Sequence, residues 1–363
     1  MPASSPVFPS AWHPQLHRLG ADDAMLAALE AAAARHTGPA VPGRVARAEH
    51  SLATVLAPPG PLRASLRHGE PVCAGDWVLA SPAGPVIAEV LPRRTALVRH
   101  ATGARTEPQI LAANVDDVFI TVAADRGLPL GRIERFLALA WESGATPVVV
   151  LTKRDLLAPD AGGPLLTEAM GAAPGAEVHL VSAVTGDGIE ALYERLRPGR
   201  TAALIGSSGA GKSSLLNALA GAEVAATSQV RAVDGKGRHK TAWRELVVLD
   251  SGGAVIDTPG LRGLGLWLDG GGLDAAFADI AELATGCRFA DCQHDTEPGC
   301  AVAAAIEAGE LDGRRLASFR KLEREASYVA RKADPLLAQA QRKAWTAVAK
   351  EGKARARHRT RYS

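Results

Sequence analysis

Residues 206–213, with the sequence GSSGAGKS, constrain the fold more than any other stretch of this chain. The apolar run 201–205 precedes them and predicts a buried strand, and Ser214 begins a run with helical spacing that continues to Ala220. A strand, the pattern GxxxxGKS and a helix together indicate a phosphate-binding loop. Glycines let successive N–H groups turn inward, and the helix N-terminus adds a positive dipole end. The alternative, a Gly/Ser-rich loop that matches by chance, requires both flanks to be coincidental.

The pattern assigns roles within this loop. Lys212 is expected to reach the β- and γ-phosphates of a nucleotide, and the Ser213 hydroxyl is expected to ligate Mg²⁺. The other candidate nucleotide ligands of the loop are Gly206, Ser207, Ser208, Gly209, Ala210, Gly211 and Ser214. The identity of the nucleotide has to come from other segments.

Length and composition leave room for several domains. The chain has 363 residues, enough for two or three domains, and its 47% hydrophobic and 22% charged residues are ordinary for a soluble protein. The net charge of +2 does not by itself indicate a nucleic-acid binder. The first ten residues lack the basic start and apolar stretch of a signal peptide, and no run of about 18 apolar residues predicts a membrane span. The expected location is therefore cytoplasmic, with no membrane partner.

Residues 38–105 show short apolar runs separated by Gly and Pro, which is typical of a small β-barrel. The predicted strands are 43–47, 51–56, 76–80 and 85–91. A barrel of about 70 residues has the size of an OB-fold, a frequent carrier of RNA recognition. Eight arginines outnumber four acidic residues here, which favours phosphate contact, although a solvated charged face explains the excess equally well.

The segment before the barrel, residues 1–37, predicts a polar lead-in and an Ala-rich helix. This helix spans 22–35 and is capped by Asp22 or Asp23. We expect it to pack on the barrel or to be partly disordered.

Residues 106–263 have the pattern of an α/β domain. The predicted strands are 118–123, 147–151, 178–181, 201–205, 246–249 and 254–256, and the predicted helices include 132–143 and 188–195. Continuous apolar strands suit a sheet that is covered on both faces. The polar motifs of this domain all follow strand ends, where open α/β sheets place their ligands.

Two motifs at strand ends indicate guanine. Thr152-Lys153-Arg154-Asp155 resembles the NKxD box of GTPases, in which the acidic side chain accepts hydrogen bonds from guanine N1 and N2, and adenine offers no such donors. The Lys153 stem would cover the base plane. Ser182-Ala183 resembles the box whose backbone meets guanine O6, which is a weak signal on its own. Thr152 replaces the usual Asn and lacks its amide, so some loss of affinity for the base is expected.

A third motif, Asp257-Thr258-Pro259-Gly260, ends a predicted strand about 50 residues after the phosphate loop. Asp257 can hold Mg²⁺ through water, and the Gly260 N–H can contact a γ-phosphate.

The order of these motifs is inverted, because ordinary GTPases carry the guanine motifs after the phosphate loop. With the barrel before them and a cysteine segment after them, the chain resembles the circularly permuted GTPases of the ribosome small-subunit-dependent GTPase A family over nearly its whole length. Residues 105–116 also look like that family. The resemblance implies GTP hydrolysis to GDP that the 30S subunit stimulates, and a role late in assembly of that subunit. The implied partners are the 30S subunit and its 16S rRNA, and a single such partner favours a monomer.

Residues 235–242 are polar and Gly-rich, as expected of a switch that orders around Mg²⁺ and γ-phosphate. The family carries a GRHTTT-like stretch here, and Thr241 keeps the position expected to ligate Mg²⁺. Leu261 stands where small GTPases have the Gln that orients water. His239 is therefore the candidate catalytic residue for orienting water, beside Lys212 and Thr241, unless it is a solvated loop residue.

The cysteine segment predicts a metal site. Cys287, Cys292, His294 and Cys300 lie within 14 residues, and three thiolates with one imidazole match a tetrahedral structural zinc site with no open position. Disulfides are the alternative, which the absence of a secretory signal disfavours. Helices are predicted at 273–284 and 301–308 around the metal. The fourth cysteine, Cys73, is interpreted as a small buried residue.

A long amphipathic helix is predicted from Leu316, followed by a basic tail. Residues 342–361 contain eight Lys and Arg residues and one acidic residue, Glu351. This composition is typical of an RNA-binding segment that orders on binding, or of a solubilising tail.

These observations predict a multi-domain fold with an N-terminal OB-fold β-barrel, a central circularly permuted P-loop α/β GTPase domain and a C-terminal helical zinc-binding domain. The predicted boundaries are 1–37 for the N-terminal extension, 38–105 for the barrel, 106–263 for the GTPase domain, 264–335 for the zinc-binding domain and 336–363 for the basic tail. The main alternative is a nucleotide-gated RNA-binding module in which hydrolysis is incidental, and Leu261 favours it. An ATP-using P-loop enzyme is disfavoured by Asp155.

Overall fold

The computed structural model describes residues 8–36, 38–66, 71–82, 84, 86–100, 108–225, 244–258, 265–266 and 271–333. The strands of this part are β1 (Val41–Ala48), β2 (Leu52–Leu56), β3 (Leu62–Ser65), β4 (Trp77–Ser81), β5 (Val86–Val90), β6 (Ala96–His100), β7 (Pro108–Ala113), β8 (Asp117–Ala123), β9 (Thr146–Thr152), β10 (Glu177–Leu180), β11 (Thr201–Gly206), β12 (Glu245–Val248), β13 (Ala254–Asp257) and β14 (Gly265–Leu266). The helices are α1 (His13–Arg18), α2 (Asp23–Arg35), α3 (Leu130–Glu142), α4 (Gly162–Ala172), α5 (Ile189–Arg195), α6 (Lys212–Ala220), α7 (Gly271–Ala276), α8 (Ala278–Ala284), α9 (Ala301–Glu307) and α10 (Gly313–Ala333).

The N-terminal helices pack on one side of the barrel. Asp22 caps α2, because its carboxylate accepts a hydrogen bond from the Met25 N–H at 2.8 Å. Leu16 and Leu29 are fully buried and share a cluster with Trp77 of β4. Burial of these apolar faces explains why α2 is an ordered part of the barrel domain.

Strands β1 to β5 close into a barrel in the order β1-β2-β3-β5-β4. Its interior contains Val45, Val55 and Val78, which are fully buried. The predicted barrel is confirmed. The sequence does not predict β3, because this strand has only four residues, and Arg63 and Ser65 among them are exposed.

The chain leaves the barrel after β5. Strand β6 pairs with β7 and β14 in a separate three-stranded sheet. Strands β6 and β7 therefore lie between the barrel and the α/β domain along the chain, whereas β14 follows β13.

The arginines of the barrel region are not all available at the surface. Arg44 is fully buried, and Arg93 pairs with the buried Asp76, with 2.7 Å between Nε and Oδ1. Arg63 keeps 65% of its side chain exposed. The basic excess in the sequence therefore overstates the charge that this region presents to a partner.

The α/β domain is built on a six-stranded sheet in the order β10-β9-β8-β11-β13-β12. The pairs from β10 to β13 are parallel, and β12 joins β13 antiparallel. The middle strands are buried on both faces, as their continuous apolar runs predict. Because β9, β10, β11 and β13 are parallel, their carboxyl ends lie at one edge of the sheet, and the four predicted nucleotide motifs begin there.

Arg44 joins the barrel to this sheet. Its guanidinium donates hydrogen bonds to the Thr201 hydroxyl at 2.6 Å and to the Asn114 carbonyl at 2.7 Å. It also donates to the Leu19 carbonyl and lies 5.0 Å from the centre of the Trp77 ring. Burial lowers the pKa of Arg44 to about 10, so the side chain remains cationic at neutral pH. Since Thr201 begins β11, one side chain connects the N-terminal segment, the barrel and the strand that leads to the phosphate loop.

The described C-terminal region contains α7 to α10. The predicted helix 273–284 is interrupted at Phe277, which has φ −122° and ψ 36°. The turn buries the Phe277 ring against Phe319, with 5.4 Å between ring centroids. Helix α10 begins at Gly313, ahead of the predicted start at Leu316. No helix in the described ranges is both long and apolar enough to cross a bilayer.

Helix α7 lies very close to α3 of the α/β domain. A Cβ atom at Gly272 would lie 2.3 Å from the Ala138 carbonyl oxygen, so any larger residue would force the helices apart. The Gly272 N–H donates to the Glu142 carboxylate at 2.8 Å. These contacts fix the C-terminal region directly against the α/β domain.

A buried ion network joins α10 to both regions. Arg315, 3% exposed, donates to Glu134 of α3 at 3.1 Å and to Asp279 of α8 at 2.7 Å. Glu134 is fully buried and also pairs with Arg314 at 3.0 Å. Each charge in this interior therefore has a charged partner, as buried charges require.

Replacing Arg315 by alanine should lower the free energy of local unfolding of α10 by about 3 kcal/mol, because the buried Glu134 and the half-buried Asp279 would each lose a partner. Amide hydrogen exchange across Gly313–Ala333 measures this opening free energy. Arg320→Ala on the same helix is the control, since Arg320 is 34% exposed and makes a surface contact. We expect a loss below about 1 kcal/mol for it. Equal protection of α10 in both variants would contradict the structural role of Arg315.

Candidate nucleotide-binding site and metal centre

The phosphate loop connects β11 to α6. Gly206, Gly209 and Gly211 have φ values of 153°, 80° and 88°, and a Cβ atom at Gly206 would lie 2.4 Å from the Thr121 carbonyl oxygen. The loop therefore requires glycine both for its backbone conformation and for its close approach to β8. Ser207 is half-buried, Ser208 and Gly209 are exposed, and Ala210 is buried.

Lys212 lies at the centre of the loop. Its Nζ donates to the Gly206 carbonyl at 2.9 Å and to the Ser207 carbonyl at 3.0 Å, and the residue is 8% exposed. Ser213 and Ser214 follow in the first turn of α6 and are half-buried. A glycine loop with positive φ values, a helix N-terminus and a fixed ammonium together fit a polyphosphate anion.

Thr152 connects the turn after β9, which carries the first predicted guanine motif, to this loop. Its hydroxyl donates to the Ala210 carbonyl at 2.7 Å and lies 3.3 Å from the Val122 carbonyl oxygen. The residue is 2% exposed. The hydroxyl that replaces the usual amide therefore has a structural partner, which the sequence does not predict.

Lys153 and Arg154 continue the turn. Lys153 has a left-handed backbone with φ 66°, and its Nζ donates to the Asp125 carboxylate at 3.0 Å. The hydrogen bond from Lys153 lowers the pKa of Asp125. Arg154 is exposed, and its N–H donates to the Val181 carbonyl at 3.1 Å.

The second predicted guanine motif contacts the first. The buried Ser182 hydroxyl donates to Oδ1 of Asp155 at 2.6 Å. The Ser182 hydroxyl oxygen in turn accepts hydrogen bonds from the Val184 and Thr185 N–H groups at 3.2 and 3.1 Å. Asp155 is exposed and Ala183 is half-buried, so the Asp155 carboxylate is held from one side and open to a ligand on the other. The sequence analysis assigns only a backbone role to Ser182. Its side-chain contact with Asp155 joins residues 27 positions apart, and no local sequence pattern predicts such a contact.

The third motif begins beside the phosphate loop. Asp257, 7% exposed, is paired in register with Leu204 of β11. The Thr258 hydroxyl donates to the Leu204 carbonyl at 2.6 Å. The remaining residues predicted for the site, Gly260, His239 and Thr241, lie outside the described residues, as does Leu261.

A separate cluster in the C-terminal domain fits a metal ion. The ligand atoms of Cys287, Cys292, His294 and Cys300 all lie within 4.8 Å of one another. Nδ1 of His294 is 3.5 Å from the sulfurs of Cys287 and Cys300, which are 3.9 Å apart. Tetrahedral zinc, with bonds of about 2.3 Å to sulfur and about 2.0 Å to nitrogen, separates its ligand atoms by about 3.5–3.8 Å. The donor set and its spacing therefore fit structural zinc.

The four cysteines of the chain are free, so the disulfide alternative is wrong. Cys73 is 6% exposed, and burial raises the pKa of its thiol. It is therefore a small buried residue, as the sequence predicts, and it does not belong to the cluster.

The fold and the site together define a class of protein. Along the chain, the predicted guanine motifs after β9 and β10 come before the phosphate loop after β11, but all of them lie at one edge of a single sheet. This arrangement defines a circularly permuted P-loop GTPase, here joined to a barrel and a helical Cys₃His domain.

Comparison with known proteins gives the family. The family model for RsgA GTPase matches residues 90–267. A protein of Streptomyces avermitilis named small ribosomal subunit biogenesis GTPase RsgA is 49% identical over 322 residues, which cover 86% of each chain. A protein of Opitutus terrae with the same name is 49% identical over 296 residues, 78% of this chain and 80% of the other. The chain belongs to the RsgA GTPase family.

Solved structures share the fold. The crystal structure of YjeQ from Thermotoga maritima is 29% identical, with a TM-score of 0.57, and the match covers 79% of this chain and 99% of that one. The structure of YloQ, described as a circularly permuted GTPase, is 24% identical with a TM-score of 0.56, over 80% and 96% of the two chains. The predicted family, fold class and GTPase activity are confirmed.

Thr152 offers a direct test of the link between the two halves of the site. Thr152→Ala should weaken GTP binding about fivefold, because it removes a hydrogen bond of about 1 kcal/mol and leaves a buried carbonyl without it. Titration with a fluorescent GTP analogue measures the dissociation constant. Thr152→Ser keeps the hydroxyl and should bind GTP as the unchanged protein does. Equal affinities of the Ala and Ser variants would show that the hydroxyl does not support the site.

Proposed function

We propose that this protein hydrolyses GTP while bound to the small (30S) ribosomal subunit and acts in the late assembly of that subunit. The observation that carries the proposal is the permuted motif order in a single sheet, joined to a barrel and a Cys₃His domain, in a chain whose relatives are named small ribosomal subunit biogenesis GTPases. The partners in this proposal are GTP and GDP, the 30S subunit and its 16S rRNA. The protein acts as a cytoplasmic monomer.

Guanine is recognised by the turn after β9. The Asp155 carboxylate accepts hydrogen bonds from guanine N1 and N2, and Ser182 keeps it in that orientation through the 2.6 Å contact. The stem of Lys153 lies along the base, with Thr152 and Arg154 completing the turn and the Ala183 backbone near O6.

The triphosphate lies in the loop 206–213, where backbone N–H groups and Lys212 neutralise its oxygens. Ser213, Thr241 and Asp257 would hold Mg²⁺, which would neutralise negative charge on the triphosphate. The Gly260 N–H contacts the γ-phosphate. The Cys₃His cluster holds one structural zinc ion.

Hydrolysis is attack of a water oxygen on the γ-phosphorus, with cleavage of its bond to the β–γ bridging oxygen and departure of GDP. The chain contributes position and charge, since phosphoryl transfer needs little covalent chemistry from the protein. Lys212 stabilises negative charge on the phosphoryl oxygens. His239 orients the water, because Leu261 cannot do so, and contact with the subunit places this histidine.

RNA contact is assigned to the exposed part of the barrel and to the basic tail 336–363. Arg63 is an exposed cation of the barrel, whereas Arg44 is buried and therefore takes no part. Lysine and arginine contacts with phosphates make such binding salt-dependent.

The experiment that tests the proposal is the GTPase rate measured with purified 30S, 50S and 70S particles. We expect stimulation by 30S particles above that by the other two. Equal rates with all three would contradict the assembly role. A His239→Ala variant should lose the stimulation, and normal hydrolysis by this variant on 30S particles would remove His239 from the mechanism.

Leu261 favours a second candidate function, in which GTP binding controls docking on RNA and hydrolysis is incidental. Single-turnover hydrolysis with and without 30S particles separates the two. A rate that the particles leave unchanged, together with GTP-dependent docking, would support the second function.

A further inference from the structure

An acidic residue outside every predicted motif lies between the two halves of the nucleotide site. Asp125 belongs to the 3₁₀ turn Ala124–Arg126, directly after β8. In the sheet, β8 lies between β9, which leads to Lys153, and β11, which leads to the phosphate loop. Asp125 is therefore at the edge of the sheet where the nucleotide motifs meet.

The Asp125 carboxylate holds the Lys153 ammonium, with 3.0 Å between Oδ2 and Nζ. Both side chains are largely buried, at 16% and 27% exposure. The backbone of Lys153 is fixed as well, in a left-handed conformation that non-glycine residues rarely adopt. The four-carbon stem of Lys153 is thus held at both ends.

Lys153 is also the principal partner of Asp125. The second carboxylate oxygen, Oδ1, is buried and makes no hydrogen bond within the described part of the chain. Arg126 lies 3.7 Å from Oδ2, but its side chain is 84% exposed, and such a pair contributes little. The hydrogen bond from Lys153 lowers the pKa of Asp125, so the carboxylate is ionised at neutral pH.

We infer that Asp125 is a positioning residue of the guanine site, which holds the Lys153 stem ready to lie along the base that Asp155 recognises. The inference rests on the proposed function, because it takes Lys153 and Asp155 as ligands of guanine. A lysine side chain loses much rotamer freedom when it is fixed in one geometry. Because Asp125 already fixes the Lys153 side chain in the free protein, part of this entropy is lost before GTP binds. Preorganisation of this kind increases affinity for the ligand.

Asp125→Ala should raise the dissociation constants of GTP and GDP about tenfold, which is about 1.4 kcal/mol, while kcat at saturating GTP stays unchanged. Both nucleotides are affected equally, because both carry the base. Asp125→Asn keeps an oxygen that can accept from Nζ and should restore most of the affinity. Asp250→Ala, in the exposed turn between β12 and β13, is the control and should bind GTP normally.

Two comparisons separate positioning from a general structural role. Inorganic triphosphate has no base, so its competition at the phosphate loop should be the same with and without Asp125. In a Lys153→Ala background, removal of Asp125 should have no further effect on GTP affinity. An effect of full size in that background, or weakened binding of inorganic triphosphate by the Asp125→Asn variant, would overturn the inference.

Asp155→Ala in the same titration distinguishes this inference from the proposed function. Normal GTP affinity of Asp155→Ala would contradict the guanine site itself. A loss of affinity in Asp155→Ala without any loss in Asp125→Ala would contradict only the role of Asp125. If Asp125→Ala folds poorly, Asp125→Ser, whose side chain is one carbon shorter and loses the contact with Nζ, provides the same cycle with Lys153→Ala.

Discussion

Replacing Lys212 by alanine should lower the rate of GTP hydrolysis at saturating GTP by about 10³-fold, which corresponds to about 4 kcal/mol in the barrier. The ammonium is held at the centre of the loop by the Gly206 and Ser207 carbonyls, at 2.9 and 3.0 Å. Phosphoryl transfer depends on charges that are already in position when negative charge spreads over the γ-phosphate oxygens. With a neutral methyl group at this position, the loop has only backbone N–H groups to stabilise the negative charge of the γ-phosphate oxygens.

Single-turnover hydrolysis on 30S particles measures this effect, because it separates chemistry from product release. Lys212→Arg keeps the charge, but the residue is 8% exposed and a planar guanidinium does not reproduce the two carbonyl contacts, so we expect it to be impaired as well. Lys321→Ala, exposed on α10, is the control for loss of a lysine. Hydrolysis by Lys212→Ala within about tenfold of the unchanged protein would contradict the central role of this cation.

The strands and the phosphate loop can be predicted because their signals are local. An apolar run before the loop and helical spacing after it are both read within 20 residues, and β11 and α6 lie where these patterns indicate. The inverted motif order is also a property of the sequence alone. The fold class follows from it, because each motif marks the end of one strand.

The contacts within the site could not be predicted in the same way. The Thr152 hydroxyl meets the Ala210 carbonyl across 58 residues of sequence, and Ser182 meets Asp155 across 27. Such pairs depend on how parallel strands align in the sheet, which no local pattern specifies. Asp125 was missed for the same reason, since its partner Lys153 is 28 residues away.

Charge counts are a weak guide where arginines bind inside the protein. Arg44 of the barrel and Arg315 of α10 are both buried. Arg44 binds the first residue of β11, and Arg315 binds Glu134 of α3. These two buried arginines therefore connect the GTPase domain to the barrel and to the C-terminal domain. Their role is structural, and they do not belong to an RNA-binding surface.

Removing the metal from the Cys₃His cluster should unfold residues 287–300 and loosen the start of α9. Of these residues, all of them described, Cys300 alone is buried, so the segment has no apolar core of its own. Zinc binding supplies about 10 kcal/mol or more in small structural sites and so replaces a core. The sulfur of Cys300 also accepts a hydrogen bond from the Ala303 N–H at 3.3 Å and so caps the N-terminus of α9. Disorder of the ligand loop would therefore remove this cap.

Metal analysis and amide hydrogen exchange together test this expectation. The unchanged protein should contain about one zinc ion per chain, and Cys292→Ser should contain almost none and show no protection across 287–300. Cys73→Ser is the matched control, because Cys73 lies in the barrel away from the cluster, and it should keep the metal. Treatment of the unchanged protein with a chelator should reproduce the exchange pattern of Cys292→Ser. Full protection of 287–300 after removal of zinc would contradict the prediction, because packing alone would then have to hold a loop whose side chains face solvent.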